Sequence, residues 1–258
     1  MNAHVCSLYS GSSGNAFLIG CGEDYILIDA GRSAKALCRA IAECGYDPDR
    51  ALAIFLTHEH SDHVSALPVF LKNHPVPVHV VAASAGRLET QGTVAPHLVC
   101  HTPLYRVEIG PFTVTSFPTP HDSRASVGYR VEIREGDEVY RVGYATDMGR
   151  VTGAIEEGLT GCEAVIIESN HDPDMLENGT YPDDLKRRIR SDRGHLSNPD
   201  CAVLAAKLVG SGTERILLAH LSRENNTPKI AYAETLGALA EEKTVLCVAS
   251  PEEVTVLL

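Results

Sequence analysis

Three histidines and an aspartate follow an apolar segment within six positions of this chain. The apolar segment, residues 51–56, has the length and composition of a buried strand. Directly after it come His58, His60, Asp62 and His63. Imidazole and carboxylate groups are common ligands of Zn²⁺, Mn²⁺ and Fe²⁺, and four of them exceed what one catalytic ion needs. The segment therefore predicts a metal centre at a strand end, in preference to a polar loop whose histidines only form hydrogen bonds.

The backbone around this segment can also be predicted. Alternate side chains of an extended chain share a face, so we expect His58, His60 and Asp62 to point in the same direction. Asp62 and His63 are expected to open a helix that continues over residues 64–71. Four ligands do not suffice for two ions, so a centre with two ions needs further ligands from later segments.

Three later residues stand at the ends of predicted strands, as His58 does. His121 follows a strand and lies in a turn that a proline fixes. Asp147 ends another strand, where it is either a ligand or the N-cap of the next helix. His220 ends a buried run much like the one that precedes His58. We therefore regard these three residues as candidate ligands.

Two more histidines are candidates for other roles. His195 follows a glycine and precedes a helix cap, so its side chain is expected to swing toward a substrate. An imidazole there can protonate a leaving oxygen or hold a phosphoryl oxygen; the alternative is a hydrogen bond at the helix start. His171 lies in a loop after a strand and can either support a ligand from behind or bond within its loop.

Length and composition limit the class of protein. The 258 residues, 44% of them hydrophobic, fit one domain over residues 1–258. No apolar run is long enough to span a membrane, and the N-terminus lacks the features of a secretory signal. We therefore expect a cytoplasmic protein without a membrane partner. The eight cysteines contain no Cys-x-x-Cys pair and are expected to be free thiols, several of them in the core.

The charge pattern bears on the substrate. A net charge of −12 argues against loose nucleic-acid binding, although bound dications and a local basic patch can reverse the sign at one face. One such patch consists of Lys186, Arg187, Arg188, Arg190 and Arg193. A solvated helix face is the default interpretation of such a run. Because the run leads directly to His195, we favour a substrate-binding role toward phosphate.

The order of these motifs resembles that of the metallo-β-lactamase-fold superfamily, whose signature is His-x-His-x-Asp-His. The resemblance implies an α/β fold, a four-layer αββα sandwich, with the ligands on loops at one edge of two sheets. It implies two divalent metal ions, Zn²⁺ or Mn²⁺. One ion would be held by His58, His60 and His121, the other by Asp62, His63 and His220, with Asp147 bridging both. Asp29 matches a motif whose aspartate supports the metal loop, or it is simply a turn residue.

The resemblance also implies a chemistry. A water shared by two ions loses a proton readily and becomes the nucleophile. Nuclease branches carry a catalytic histidine in a segment like that of His195, so His195 and Asp62 are the catalytic candidates. The flavin-linked diiron branch has glutamate in place of His60, and lactam-hydrolysing enzymes have cysteine or histidine in place of Asp147. Neither of these functions is therefore favoured.

Three segments, residues 7–15, 181–198 and 219–226, look like the YycJ (WalJ) group, which is regarded as metal-dependent hydrolases that act on DNA as exonucleases. The predicted function is a metal-dependent phosphodiester hydrolase, a nuclease acting on nucleic acid, DNA in particular, or on another phosphodiester. One alternative is a small-molecule phosphodiesterase or thioester hydrolase of the same fold. The other is a non-catalytic metal-binding regulatory protein, against which an intact ligand set argues.

Overall fold

The computed structural model describes residues 2–239 and 243–258, which form two seven-stranded sheets with helices on their outer faces. The strands are β1 (Ala3–Tyr9), β2 (Ala16–Cys21), β3 (Asp24–Ile28), β4 (Ala51–Phe55), β5 (Val78–Val81), β6 (Leu98–His101), β7 (Arg106–Ile109), β8 (Phe112–Thr119), β9 (Ser126–Glu135), β10 (Glu138–Ala145), β11 (Ala164–Glu168), β12 (Arg215–Ala219), β13 (Val245–Val248) and β14 (Thr255–Val256). The helices are α1 (Ala34–Glu43), α2 (Ser61–Val64), α3 (Leu67–Asn73), α4 (Ala82–Ala85), α5 (Gly153–Leu159), α6 (Pro173–Asn178), α7 (Asp183–Ile189), α8 (Asn198–Gly210) and α9 (Pro228–Ala238).

Both sheets combine an antiparallel half with a parallel half. The first has the order β14-β1-β2-β3-β4-β5-β6 and is parallel from β3 to β6. The second has the order β13-β12-β11-β10-β9-β8-β7 and is parallel from β10 to β13. Parallel neighbours bring their carboxyl ends to the same edge of a sheet, which is where ligands bind in sheets of this kind.

Apolar packing between the layers holds the two sheets face to face. Phe17 of β2 and Tyr144 of β10 meet between the sheets with ring centroids 4.9 Å apart, and both are fully buried. Outside the first sheet, Leu37 of α1 belongs to a second buried cluster; outside the second sheet, Leu204 of α8 belongs to a third. The helix–sheet–sheet–helix order confirms the predicted four-layer αββα sandwich.

The predicted helix over residues 64–71 is interrupted. Asp62 and His63 lie inside the short helix α2, and α3 begins separately at Leu67. Pro68 has no N–H with which to continue the hydrogen bonding of α2, so the chain starts a new helix there. The expectation that Asp62 shares an extended face with the preceding histidines is therefore wrong, because the backbone has already turned into a helix.

The cysteines agree with the sequence-based expectation. All eight are free thiols, and Cys6, Cys162 and Cys201 are buried. None of the helices in the described part of the chain has the length and apolar character that a membrane span requires.

Candidate metal centre

The candidate ligands lie where strand ends of both sheets meet. Asp29 follows β3, His58 lies shortly after β4, Asp147 lies shortly after β10 and His220 follows β12. Asp29, Asp147 and His220 have φ angles of 62°, 57° and 57°. This left-handed backbone is uncommon outside glycine and persists where surrounding contacts impose it, as at functional sites. The turns that carry these side chains are thus held by their surroundings.

His58, His60 and His121 form one candidate ligand group. One ring nitrogen from each lies within 4.8 Å of the others. The Nε2 atom of His58 is buried and has no hydrogen-bond partner in the described part of the chain. A buried nitrogen without a partner costs about 1–3 kcal/mol, so the arrangement fits a ligand that a cation would complete.

Asp62, His63 and His220 form a second candidate group, again with one ligand atom from each within 4.8 Å of the others. The Oδ2 atom of Asp62 lies 3.4 Å from Nε2 of His63 and 3.8 Å from Nε2 of His220. The Nε2 atom of His220 is likewise buried without a partner among the described residues. The imidazoles and carboxylates of the two groups suit a divalent ion such as Zn²⁺ or Mn²⁺.

Asp147 lies between the two groups. Its Oδ2 atom is 3.4 Å from Nε2 of His63, and its Oδ1 atom is 3.4 Å from Nε2 of His220 and 3.8 Å from Nε2 of His121. Burial acts to raise the pKa of this carboxyl, but the surrounding imidazoles, His220 foremost, hold that pKa well below its usual range. Asp147 is therefore a carboxylate that faces members of both groups.

Asp29 supports the ligands from behind. It is fully buried, and its carboxylate accepts hydrogen bonds from the backbone N–H of Thr57 at 2.8 Å and from the Thr57 hydroxyl at 2.9 Å. Its Oδ2 atom also lies 2.8 Å from Nδ1 of His63. Donation from Nδ1 leaves Nε2 of His63 as the atom that faces Asp62 and Asp147. These contacts favour the supporting role over that of a turn aspartate.

Asn15 joins the first loop of the chain to the second group. Its side-chain nitrogen lies 3.3 Å from Oδ2 of Asp62 and 3.1 Å from Nε2 of His63. Its backbone N–H donates to the carbonyl oxygen of Asp62 at 2.8 Å. The loop between β1 and β2 therefore packs directly against the predicted ligands.

Glu168 is a residue of this site that the sequence analysis did not single out. It ends β11, between the strands that lead to Asp147 and His220, and it is fully buried. Its Oε1 atom lies 2.7 Å from Nδ1 of His195 and 3.2 Å from Nδ1 of His220. Burial acts to raise the pKa of Glu168, but the His195 imidazole and its hydrogen bond lower that pKa to about 2. Its place at the end of a strand that lies, along the chain, between the strands leading to Asp147 and His220 was the signal that could have identified it.

His195 faces the ligand groups with a side chain that is 19% exposed. Its ring stacks on that of His220 at a centroid distance of 5.2 Å and lies 5.3 Å from that of His121. Its backbone N–H donates to Ile189, and its Nδ1 bonds Glu168. The sequence predicted that the His195 side chain can swing toward a substrate. The structure shows a fixed ring instead, because Nδ1 is bound to Glu168 and only Nε2 is left for a substrate.

His171 supports the backbone near His195. It forms an isolated β-bridge with Ser197, and its carbonyl oxygen accepts a hydrogen bond from Asn198 at 2.9 Å. Its Nδ1 atom is buried and has no partner among the described residues. The predicted contact between the His171 side chain and a ligand stays a prediction.

Two cations of the basic run are bound within the α6–α7 segment. Lys186 is buried, and its ammonium donates to the carbonyl oxygen of Glu177 at 2.7 Å. Arg190 pairs with the carboxylate of the same glutamate at 2.5 Å. Both cations are therefore committed to contacts with Glu177.

The other three cations differ from these. Arg188 pairs with Asp122, the neighbour of His121, at 2.5 Å, and Arg193 donates to the carbonyl oxygen of His121 at 2.9 Å. The side chain of Arg187 is exposed and forms no hydrogen bond or ion pair with the described residues. The phosphate-binding role of the run stays a prediction. The absence of a side-chain partner among the described residues favours Arg187 for this role, and the contacts beside His121 favour Arg188 and Arg193.

Comparison with known proteins adds independent findings. The family model of the β-lactamase superfamily domain matches residues 24–221. Exodeoxyribonuclease YycJ of Bacillus anthracis is 32% identical over 251 residues, which cover 94% of this chain and 91% of that protein. Exodeoxyribonuclease WalJ of Streptococcus pneumoniae is 32% identical over 238 residues, which cover 91% of this chain and 87% of that protein. The structure of the metallo-β-lactamase fold protein YhfI from Bacillus subtilis matches with a TM-score of 0.74 and 18% identity, over 98% of this chain and 99% of that one, which shows a shared fold.

Proposed function

This chain belongs to the β-lactamase superfamily, with the metallo-β-lactamase fold, and on that premise we propose that it hydrolyses phosphodiester bonds of DNA with two divalent metal ions. The chain is 32% identical to the YycJ and WalJ proteins, which supports a hydrolase that acts on nucleic acid. The observation that carries the proposal is the arrangement of seven candidate ligands beside the hydrogen-bonded pair of Glu168 and His195.

The two ligand groups would each hold one ion, with Asp147 shared between them. The donor set fits such ions, since Nε2 of His58 and Nε2 of His220 are buried without a partner among the described residues. When bound, the ions would acidify water and neutralise the charge that develops on the phosphate. Asp29 and Glu168 would keep the rings of His63 and His220 in the tautomer that presents Nε2 to an ion.

His195 would deliver a proton to the leaving oxygen. Its Nδ1–H donates to Glu168, so a second proton on the ring sits on Nε2. The carboxylate of Glu168 holds the ring through Nδ1, and the 19% exposed side chain borders solvent, from which a substrate would approach. The alkoxide of a sugar is a poor leaving group, so protonation of its oxygen is expected to accelerate cleavage by about 10²–10⁴-fold. Asp62, the other catalytic candidate, would act by holding its ion.

Positively charged side chains near His121 support the binding of a phosphate group on that side of the site. Arg188 and Arg193 surround the turn that carries this histidine, and Arg187 is exposed beside them. The relatives named exodeoxyribonucleases favour DNA over a small phosphodiester or a thioester. The −12 net charge means that attraction to DNA must come from this local surface and from the ions.

A substrate panel tests the proposal. Turnover would be measured on end-labelled single- and double-stranded DNA, on RNA, on bis(p-nitrophenyl) phosphate and on a thioester, each with Zn²⁺ and with Mn²⁺. We expect cleavage of DNA and of the chromogenic diester in at least one metal, with no turnover of the thioester. Turnover of the thioester alone would assign the site to a different hydrolase, and no turnover of any substrate would favour a regulatory metal-binding protein.

A further inference from the structure

A cysteine, a histidine and an aspartate lie in line on the outer face of the first sheet. Cys38 belongs to α1, His74 follows the end of α3, and Asp49 lies in the turn before β4. The Sγ atom of Cys38 is 3.7 Å from Nε2 of His74, and Nδ1 of His74 is 2.5 Å from Oδ1 of Asp49. None of the three belongs to a candidate metal-ligand group in the described part of the chain. The proposed phosphodiesterase chemistry therefore does not use them.

The three groups are arranged as in sites that activate a thiol nucleophile. The carboxylate of Asp49 accepts from Nδ1 of His74, which fixes the tautomer whose Nε2 carries the lone pair. That Nε2 atom lies within hydrogen-bond distance of the Cys38 thiol, so the thiol can donate to it. Activated cysteine and serine nucleophiles on unrelated folds show the same spatial order, in which a carboxylate orients the base and the base contacts the nucleophile.

The environment of Cys38 means that its thiol needs a base in order to react at neutral pH. Burial raises the pKa of the Cys38 thiol, so the neutral thiol predominates at neutral pH. A neutral thiol is a poor nucleophile, since the thiolate is the reactive form. A neighbouring imidazole removes this obstacle by accepting the proton as the sulfur attacks. The His74 side chain is 20% exposed and Cys38 is only partly buried, so the two side chains lie near the protein surface.

We propose that Cys38 is a thiol-modification site that reacts with the disulfide of an oxidised low-molecular-weight thiol, with His74 as the base. In this step the Cys38 thiol gives its proton to Nε2 of His74, and Sγ attacks one sulfur of the disulfide. A new disulfide forms between Cys38 and that half of the reagent, while the original sulfur–sulfur bond breaks. The departing thiolate takes the proton back from His74, so the step needs no further oxidant.

The other cysteines of the chain supply controls within the same molecule. Cys21 is partly buried, as Cys38 is, and burial likewise raises its pKa, but no histidine among the described residues lies within hydrogen-bond distance of its sulfur. Cys100 is exposed and reports the rate of an accessible thiol. Comparison with Cys21 separates the effect of the base from the effect of exposure.

The experiment measures thiolation of each cysteine by oxidised glutathione in the metal-loaded protein, with peptide mass spectrometry at successive times between pH 7 and pH 9. At pH 7 we expect Cys38 to react at least about tenfold faster than Cys21, because a positioned base contributes a factor of this size or more. His74→Gln should remove this advantage and leave Cys21 and Cys100 unchanged. Asp49→Asn should have a smaller effect in the same direction, because Asp49 is 70% exposed and water can replace its hydrogen bond.

The pH profile of the wild-type protein tests the same step without a variant. The thiolate fraction of an unassisted thiol falls about tenfold for each pH unit below its pKa, so the rate at Cys21 should fall steeply from pH 9 to pH 7. The rate at Cys38 should fall less, since its proton goes to His74. Equal slopes for the two cysteines would overturn the proposal, as would a Cys38 rate that His74→Gln leaves within about twofold of wild type.

Discussion

The carboxylate of Glu168 lies 2.7 Å from Nδ1 of His195, and the same oxygen lies 3.2 Å from Nδ1 of His220. One buried carboxylate thus orients both the proposed proton donor and a proposed metal ligand. The two histidines stack at 5.2 Å, so Glu168 also sets their positions relative to each other. Through this shared carboxylate, the proposed acid catalysis would be coupled to the proposed metal binding.

Glu168→Gln should impair catalysis while the fold remains. The amide has the shape of the carboxylate but only one acceptor oxygen, so it cannot accept hydrogen bonds from His195, His220 and the backbone N–H groups of Met148 and Leu196 all at once. We expect turnover of DNA to fall about 10²-fold at neutral pH. Affinity for the ion held by His220 should fall about 10–100-fold, since such supporting contacts tune ligands to this extent. The matched control is Glu156→Gln, a half-exposed glutamate that pairs with Lys207, and it should behave as wild type.

His195→Ala should keep both ions and the folded state but lose about 10²–10⁴-fold in turnover of DNA. The loss should be much smaller for bis(p-nitrophenyl) phosphate, whose leaving group needs no proton. Metal content and turnover of both substrates are the measurements. If His195→Ala empties a metal site while His220→Ala does not, the roles assigned to these two histidines are reversed.

Asp29→Ala should destabilise the loop that begins at Thr57. The substitution leaves the backbone N–H and hydroxyl of Thr57 and Nδ1 of His63 without their shared acceptor. Each of these three buried donors costs about 1–3 kcal/mol without a partner, so we expect the free energy of unfolding of the metal-free protein to fall by at least about 3 kcal/mol. Urea denaturation measures the change. A loss below about 1 kcal/mol with unchanged metal affinity would show that Asp29 does not support the site.

Arg187→Gln combined with Arg188→Gln should weaken binding of long DNA. Loss of two phosphate contacts should reduce the slope of log affinity against log salt by about 2. Turnover of bis(p-nitrophenyl) phosphate should barely change, because a small diester does not reach both residues. The control is the pair Arg106→Gln and Arg134→Gln, exposed cations on β7 and near the end of β9. An equal effect of both pairs would contradict a specific phosphate surface.

Several candidate ligands could be grouped from the sequence because His58, Asp147 and His220 each follow a strand. The segment around His58 and the run that ends at His220 both show a buried strand followed by an imidazole. The parallel order of the strands then brings these ends to one edge. The expected direction of the side chains was less accurate, since Asp62 turned out to lie in a helix that ends before Pro68.

Other features depend on tertiary contacts that local sequence does not reveal. Glu168 carries no turn signal and is marked in the sequence only by its place at the end of an apolar strand, so its contacts with His195 and His220 become evident from the structure. The basic run looked uniform in sequence, but Glu177 binds Lys186 and Arg190, whereas Asp122 binds Arg188. These partners lie between nine and 66 positions away along the chain.

The stoichiometry of activation tests the central claim most directly. Metal-free protein would be titrated with Mn²⁺ while bound ions per chain and turnover of a labelled DNA strand are measured in the same samples. We predict that turnover rises with the second ion and is complete at two ions per chain, and that Asp147→Ala binds one ion and stays inactive. Full turnover at one ion per chain would contradict the proposed two-ion centre.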